Sequence, residues 1–260
     1  MTTGLRIEDP AYFDRLADVE ARHWWSRGVW QLGAYWLDQA LAGRSGLDAL
    51  DVGCGTGQTA IRLANRREID CVVGLEPSLD ALRHARTKHG FPLIRGSALA
   101  LPFDDGRFDL VTCFDVFQHL GAKKDLVAAR EIRRVLKPAG FALIRANGRG
   151  WPGDDWTYTL ERLVALIEAA GLTIRHASHA NALPALAQEV RGEFGRRWRP
   201  DAGQPRQGHP SGGGLRIRIP SPAMNRLLGA VSQAEAWVAG KLRMPLPFGH
   251  STLVLAESVG

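Results

Sequence analysis

Five short apolar runs alternate with helical segments through the middle of the chain, and this alternation limits the possible folds more than any other feature of the sequence. The runs are LDALDV, DCVVGLE, FPLIR, FDLVTCF and FALIRA, at residues 47–52, 70–76, 91–95, 108–114 and 141–146. Strands that are separated by helices form a parallel sheet with helices on both faces. Two later runs, LTIRHASH and STLVLAES, bring the number of predicted strands to seven.

Helical patterns also lie outside this alternation. Residues 10–42 repeat apolar side chains at helical spacing, which predicts one or two helices before the sheet. Two further helical patterns, at residues 183–195 and 222–243, separate the sixth run from the seventh. We therefore predict an α/β fold with a Rossmann-like sheet. Its regions are an N-terminal helical lid at 1–44, the core at 45–179, a helical insertion at 180–250 and the final core strand at 251–260.

Composition limits the class of protein. The chain has 33 Lys and Arg against 27 Asp and Glu, a formal net charge of +6, which fits an acidic partner, a nucleic acid or an anionic membrane surface, and equally an arginine-rich solvated surface. No apolar run reaches about 18 residues and the first residues show no signal-peptide pattern, so we expect a cytoplasmic protein. Cys54, Cys71 and Cys113 are far apart, which favours reduced thiols, and no Cys/His cluster predicts a metal site.

The first apolar run ends in a glycine-rich turn, DVGCGTGQ, which carries Gly53, Gly55 and Gly57. A strand that enters such a turn and then a helix directs backbone N–H groups at an anionic or polar ligand. Glu76 ends the second run, about 20 residues after Gly55, at the distance of a carboxylate that binds ribose hydroxyls. An ordinary tight turn and a solvent-exposed Glu76 remain the alternative.

The spacing of these glycines separates two classes of cofactor. Dinucleotide-binding turns follow the pattern G-x-G-x-x-G. This turn instead runs G-x-G-x-G and has Gln58 at the position of the last glycine of the dinucleotide pattern. The spacing therefore favours S-adenosylmethionine over a nicotinamide dinucleotide.

Four sequence blocks stand in a fixed order within residues 47–146: LDVGCGTG, GLEPS, ALPFDDGRFDLVTCFDVFQHL and EIRRVLKPAGFALI. In content and order they resemble the class I S-adenosylmethionine-dependent methyltransferases, specifically the small-molecule methyltransferase type 11 family. The resemblance implies S-adenosylmethionine as cofactor and a last strand that runs antiparallel beside the sixth. At the position after the third strand, where the family usually has an acidic residue near the adenine, this chain has Ser97.

The resemblance also implies the residues of the cofactor site. The glycine turn and Asp51 would surround the methionine and ribose, Glu76 would hold the ribose, and the HWW block would close a lid over the cofactor or simply anchor its helix on the core. The cofactor-binding residues are then Trp25, Arg27, Asp51, Gly53, Cys54, Gly55, Gly57, Glu76, Pro77, Ser97, Ala98, Leu99, Cys113, Phe114 and Asp115.

Methyl transfer from a sulfonium is an in-line displacement, so positioning and exclusion of water supply much of the catalysis and a base is optional. Asp115 and His119 are the candidate catalytic residues if a proton must leave the acceptor, although the HL pair at His119 recurs in the family among enzymes with different acceptors. We predict that the acceptor contacts His23, Trp24, Phe117 and Asn147.

The predicted activity is methylation of oxygen or nitrogen in a small molecule, such as a natural product or a lipid-like or glycosylated metabolite. A methyltransferase that acts on RNA or protein is the alternative, supported only by the arginine-rich stretch 190–220. An NAD(P)-dependent oxidoreductase and a non-catalytic cofactor-binding protein are less favoured. We expect no nucleic-acid partner. A weak contact of the helix at 222–243 with a membrane or lipid remains open, as does the oligomeric state.

Overall fold

A seven-stranded sheet forms the centre of the protein in the computed structural model, which describes residues 11–88, 90–121, 123–147, 158–186 and 219–259. The strands are β1 (Leu47–Val52), β2 (Ile69–Glu76), β3 (Leu93–Arg95), β4 (Phe108–Phe114), β5 (Leu136–Asn147), β6 (Thr173–Ala180) and β7 (Ser251–Glu257). Their order across the sheet is β3-β2-β1-β4-β5-β7-β6. The first five strands are parallel, and β7 lies antiparallel between β5 and β6. This topology confirms the predicted fold class.

The helices occupy the segments between these strands and before them. They are α1 (Tyr12–Arg22), α2 (Trp24–Ala40), α3 (Gln58–Ala64), α4 (Leu79–Arg86), α5 (Lys124–Val135), α6 (Leu160–Ala169) and α7 (Pro222–Gly240), with a 3₁₀ turn at Phe117–His119. Residues 182–186 are also helical. The rest of the predicted helix 183–195, and residues 190–218 of the arginine-rich stretch, lie outside the described residues. Among the helices that are described, none is long and apolar enough to cross a membrane.

Local sequence signals fix several helix starts. The hydroxyl of Ser78 accepts a hydrogen bond from the amide of Ala81 at the first turn of α4, and Thr159 caps α6 in the same way. Pro222 occupies the first turn of α7, where a missing N–H costs little. The predicted helix pair at residues 10–42 divides at His23, whose Nδ1 accepts from the amide of Trp25 at 3.2 Å and so begins α2.

Both faces of the sheet are buried, because neighbouring residues of a strand point to opposite faces. On β4, Val111 packs into the core beneath α5 and α6, while the adjacent Leu110 packs into the core beneath α2, α3 and α7. Both side chains are fully buried, and burial of an apolar side chain of this size contributes about 1.5–3 kcal/mol. The continuous apolar runs in the sequence reflect this double coverage.

β5 begins earlier than the sequence predicts. The sequence predicts this strand at residues 141–146, but in the structure β5 starts at Leu136 and includes the preceding motif KPAG. The pairing with β4 shifts here, from Phe108 opposite Leu136 to Leu110 opposite Phe141, so residues 137–140 form a bulge. Ala139 adopts a left-handed φ of +58° in this bulge, and its amide donates to the carbonyl of Ser258 at 2.8 Å.

Helices from the predicted lid and the predicted insertion share one packed layer. The amide of Trp24 on α2 donates to the side chain of Asn225 on α7 at 3.0 Å, and Gln39 near the other end of α2 donates to the carbonyl of Gly240 at 3.1 Å. The insertion helix therefore supports the lid helix from end to end. The predicted region boundaries themselves stay predictions.

Because α2 and α7 approach closely, substituting alanine for two glycines of α7 should change the free energy of unfolding by different amounts. A Cβ at Gly240 would lie 2.6 Å from Cβ of Tyr35, whereas a Cβ at Gly229 would meet only Cβ of Trp24, at 3.9 Å. We expect Gly240→Ala to lower the free energy of unfolding by about 1–3 kcal/mol, measured by urea denaturation. Gly229→Ala is the control, and higher helix propensity should stabilise it by up to about 1 kcal/mol. Equal effects of the two substitutions would contradict the packing.

Candidate active site

The glycine turn after β1 adopts a backbone that only glycine takes easily. Gly53, Gly55 and Gly57 have φ values of +70°, +50° and +87°. The amides of Gly53 and Cys54 both donate to the carbonyl of Leu75 on β2, at 2.7 and 3.0 Å. Gly57 then begins α3. The turn is thus fixed to the neighbouring strand, and α3 starts directly above the carboxyl end of the sheet.

Glu76 is fixed to the same turn. One carboxylate oxygen accepts from the amide of Gly55 at 3.1 Å and the other from the amide of Ser78 at 3.0 Å. A Cβ at Gly55 would meet nothing within 4 Å, so the turn faces open space at this point. The structure therefore places the predicted ribose-binding carboxylate beside an accessible glycine backbone.

A cleft lies above the carboxyl ends of β1 and β4. The glycine turn and Asp51 form its floor, Phe114 and Asp115 at the end of β4 form one wall, and Trp25 on α2 closes it from the lid side. Arg145 on β5 also lines the cleft.

Asp51 is a buried carboxylate with incomplete hydrogen bonding. Its Oδ1 accepts from the hydroxyl of Thr112 at 2.7 Å, but its buried Oδ2 has no hydrogen-bond partner among the described residues. Burial, reinforced by the nearby Glu20 and Glu76, raises the pKa of Asp51 to about 7, although the hydrogen bond from Thr112 and a weaker contact with the backbone amide of Ala60 oppose the shift. An unpartnered buried oxygen of this kind indicates a missing donor.

Glu20 connects the lid to the glycine turn. Its carboxylate accepts a short hydrogen bond from the hydroxyl of Thr56, and its backbone carbonyl accepts from Arg62 on α3 at 2.8 Å. Burial raises the pKa of Glu20 to about 7, against the opposing effects of Thr56 and Arg62. The cleft therefore holds two carboxylates that burial shifts toward the protonated form.

Arg145 is a fully buried cation at the other end of the cleft. Its guanidinium donates to Asp115 at close range, and to Asn147 and Ser251 at 2.9 and 3.0 Å. It lies 4.2 Å from the ring centroid of Trp25, whose indole N–H donates to the same Ser251 at 3.2 Å. Burial lowers the pKa of Arg145 to about 9, so it remains charged at neutral pH and holds Asp115 and Trp25 in place.

Most residues that were predicted to surround the cofactor lie at this edge of the sheet. Pro77 and Ser97 are exposed at the ends of β2 and β3, Leu99 is half-buried beside them and Ala98 is buried. The residues that line the cleft itself and were predicted from the sequence are Trp25, Asp51, Gly53, Cys54, Gly55, Phe114 and Asp115. Burial raises the pKa of the Cys54 thiol, which therefore stays protonated at neutral pH.

Three of the predicted site residues lie on the core side of β4 or beyond it. Cys113 is buried in the core, and Phe117 is buried with its ring 6.2 Å from that of Tyr158. His119 is exposed in the 3₁₀ turn. None of the three lines the cleft, because the side chains of β4 alternate between its faces and the turn after Asp115 leads the chain away.

Four further predicted residues lie close to the cleft without lining it. Arg27 is exposed on α2, while His23 caps that helix and Trp24 faces α7. Asn147 is buried and accepts from Arg145, so it supports a cleft residue. Substrate contact by His23, Trp24, Phe117 and Asn147 stays a prediction.

The sequence-based prediction missed Glu20 and Arg62, which line one end of the cleft, and Arg145, which lines the other. Arg145 carried a usable signal, because a charged residue within the apolar run FALIRAN is buried only with partners. The sequence around Glu20 gives no comparable indication, because it is one of several charged residues in a helical segment and could equally be exposed to solvent.

The raised pKa of Asp51 predicts a pH-dependent stability. Unfolded aspartate titrates near pH 4, whereas folded Asp51 titrates at about 7, so folding takes up a proton between these values. The free energy of unfolding of the unliganded protein should therefore fall as pH rises through that interval, by up to about 1.4 kcal/mol per pH unit for a full proton. Asp51→Asn should reduce this slope in urea denaturation.

Asp109 provides the matched control. Burial disfavours its ionisation, but hydrogen bonds from Lys137 and the amide of Asp48 outweigh burial and lower its pKa. Asp109→Asn should therefore destabilise the protein about equally between pH 5 and 7, roughly as expected for a group already ionised there. An unchanged slope in Asp51→Asn would show that folded Asp51 is ionised throughout.

The chemistry of this edge fits S-adenosylmethionine. The cofactor carries cationic groups that would pair with the unpartnered Asp51 oxygen and ribose hydroxyls that would donate to Glu76, and the open backbone at Gly55 would permit close approach. Among the described residues, no cluster of His, Cys, Asp or Glu is arranged to hold a metal ion.

Comparisons with known proteins agree with this chemistry. Residues 50–144 match a family model described as a methyltransferase domain. A protein of Encephalitozoon cuniculi named as a candidate methyltransferase is 34% identical over 150 residues, which cover 55% of this chain and 67% of that protein. The demethylmenaquinone methyltransferase of Staphylococcus aureus is 37% identical over 105 residues, covering 38% of this chain and 43% of that enzyme.

A solved structure extends the likeness of fold to almost the whole chain. It is a chain of the Haloferax volcanii complex between the Trm112 methyltransferase activator and a candidate methyltransferase, with a TM-score of 0.58 and 20% identity, covering 98% of this chain and 100% of that one. Together with the family model and the Encephalitozoon relative, the glycine turn and Glu76 show that the chain belongs to the methyltransferase type 11 family of S-adenosylmethionine-dependent methyltransferases.

Proposed function

We propose that the protein transfers the methyl group of S-adenosylmethionine to oxygen or nitrogen of a small-molecule acceptor. The observation that supports this most is the contribution of helix α2 to the cleft. Trp25 and Val29 of α2 line the cleft together with the glycine turn, so an acceptor that enters it contacts a helix as well as the edge of the sheet. A small molecule enters such a cleft more easily than a folded macromolecule.

An in-line displacement needs fixed walls and exclusion of water, and residues of β1, β4 and α2 supply walls of the cleft. Asp115 has a left-handed φ of +60°, and its carboxylate accepts from Arg145 and from the side-chain amide of Gln118. Its side chain is 36% exposed and can accept a hydrogen bond from an acceptor hydroxyl or amine. Because His119 lies outside the cleft lining, Asp115 or solvent receives any proton that is released.

The aromatic side chains favour an acceptor with a flat apolar part. Trp25 and Phe114 line the cleft from the lid and from β4, and rings of this kind stack on flat molecules. The similarity to a demethylmenaquinone methyltransferase supports an acceptor of this shape. The quinone specificity of that enzyme itself is not carried over, because this chain spans less than half of its length.

Ligand-dependent stability tests the cofactor. S-adenosylmethionine and S-adenosylhomocysteine should each raise the melting temperature, by about 5 °C or more at roughly 100 times Kd, while NAD should not. Glu76→Ala should abolish most of the shift, because it removes the carboxylate beside Gly55. Asp80→Ala, an exposed acid on α4, should keep it. Stabilisation by NAD alone would contradict the proposed cofactor.

Transfer of a labelled methyl group tests the acceptor. We expect label from S-adenosylmethionine to enter a small molecule of a metabolite extract, and Phe114→Leu to raise the acceptor KM about tenfold. Leucine keeps apolar contact with Trp30, which packs on Phe114. Phe248→Leu, at an exposed position, is the control. Label in RNA or protein and none in small molecules would overturn the proposed acceptor class.

A further inference from the structure

Two carboxylates from different layers of the molecule line the same end of the cleft. Glu20 belongs to α1 of the lid, and Asp51 belongs to β1 of the core. We propose that these two carboxylates together bind the α-ammonium group of the methionine part of S-adenosylmethionine, which makes α1 a direct part of the cofactor site. This inference rests on the proposed function, because it assumes that cofactor.

The hydrogen bonding of Asp51 leaves one carboxylate oxygen without a geometrically satisfactory donor among the described residues. Its side chain is 1% exposed, and Thr112 satisfies only Oδ1. Oδ2 is buried and has no partner in the described part of the chain. A buried carboxylate oxygen without a donor is costly, and an ammonium group offers three N–H donors and a compensating charge.

Glu20 is held in position by contacts that leave part of its carboxylate available. The hydroxyl of Thr56 donates to Oε2, while Oε1 accepts no hydrogen bond from the described residues. Arg62 and Ser26 both donate to the backbone carbonyl of Glu20, at 2.8 and 2.7 Å. These contacts fix the last turn of α1 against the glycine turn, so the carboxylate faces the cleft without being neutralised by a bidentate partner.

The surroundings of the two carboxylates contain groups of both charges. Arg62 on α3 interacts favourably with Glu20, but Arg27 on α2 and Arg62 repel each other. From β2, Glu76 adds negative charge near Asp51. Two neutral groups lie in the same region. The Tyr12 hydroxyl on α1 interacts electrostatically with Glu20, and the Cys54 thiol interacts with both acids. Burial and these acids raise the pKa of each group. On α4, His84 faces Asp14 instead.

Proton release is the measurable consequence. Burial raises the pKa of Glu20 and of Asp51 to about 7 in the absence of ligand, so part of each population is protonated at neutral pH. A bound ammonium favours the ionised forms. Binding should therefore release protons, and affinity should rise as pH increases from about 6 to about 7.5.

Calorimetry with three adenosine ligands tests the proposal. S-adenosylmethionine and S-adenosylhomocysteine carry the α-ammonium group, whereas 5′-methylthioadenosine lacks it. Titration in two buffers of different ionisation enthalpy gives the number of protons released. We expect release of a substantial fraction of a proton with the first two ligands, and none with 5′-methylthioadenosine. Equal proton release with all three ligands, or none with any, would overturn the proposal.

Glu20→Gln separates a ligand contact from a structural role. Glutamine can still accept from Thr56, so we expect binding of S-adenosylmethionine and S-adenosylhomocysteine to weaken about tenfold and proton release to fall, with 5′-methylthioadenosine unaffected. Asp14→Asn, on the same helix but paired with Lys88, should change neither. Equal weakening of all three ligands, or none, would overturn the role of Glu20.

The outcomes also separate this inference from the proposed function. If S-adenosylmethionine binds without proton release and Glu20→Gln binds it normally, the cofactor assignment stands and the role of Glu20 is wrong. If none of the adenosine ligands binds the wild-type protein, the cofactor assignment fails and this inference fails with it.

Discussion

The amides of Gly53 and Cys54, which both donate to the carbonyl of Leu75, are the interaction on which the site depends. They tie the end of β1 to β2 while the chain turns sharply toward α3, and this turn requires left-handed backbone at the glycines. A side chain at Gly53 would collide with Val116, at 2.3 Å from the new Cβ. The tight turn thus brings the segment after β4 against the glycine turn, and the cleft forms between them.

Electrostatics divides this cleft into two ends with different requirements. At the end beside the glycine turn, Asp51 is buried with one oxygen lacking a partner among the described residues, Glu20 is half-buried, and desolvation raises the pKa of both. At the end beside β5, the buried Arg145 is paired with Asp115 and its terminal nitrogens also donate to Asn147 and Ser251, while Nε has no partner among the described residues. The first end is suited to a cation that arrives with a ligand, whereas the second end is already neutralised by the protein itself.

Local sequence patterns were sufficient to predict a strand that is buried on both faces along almost its whole length. β4 occupies residues 108–114, the apolar run in the sequence, because it is buried on both faces between polar turns. β5 was predicted too short, since the bulge at 137–140 depends on pairing with β4 and on a contact with Ser258. The glycine turn and Glu76 were also found, because their chemistry is encoded within about 25 neighbouring residues.

The remaining site residues depend on contacts between distant parts of the chain, which no local pattern records. Trp25 reaches Ser251 and Arg145, and Glu20 reaches Thr56. These contacts also connect the lid helices α1 and α2 to residues that line the cleft. Displacing α2 would remove Trp25 from the guanidinium of Arg145, and displacing α1 would remove Glu20 from the glycine turn. Charged groups at both ends of the cleft therefore contact the first two helices, so on the proposed function a cationic ligand bound at one end would also stabilise the helix that lines the other.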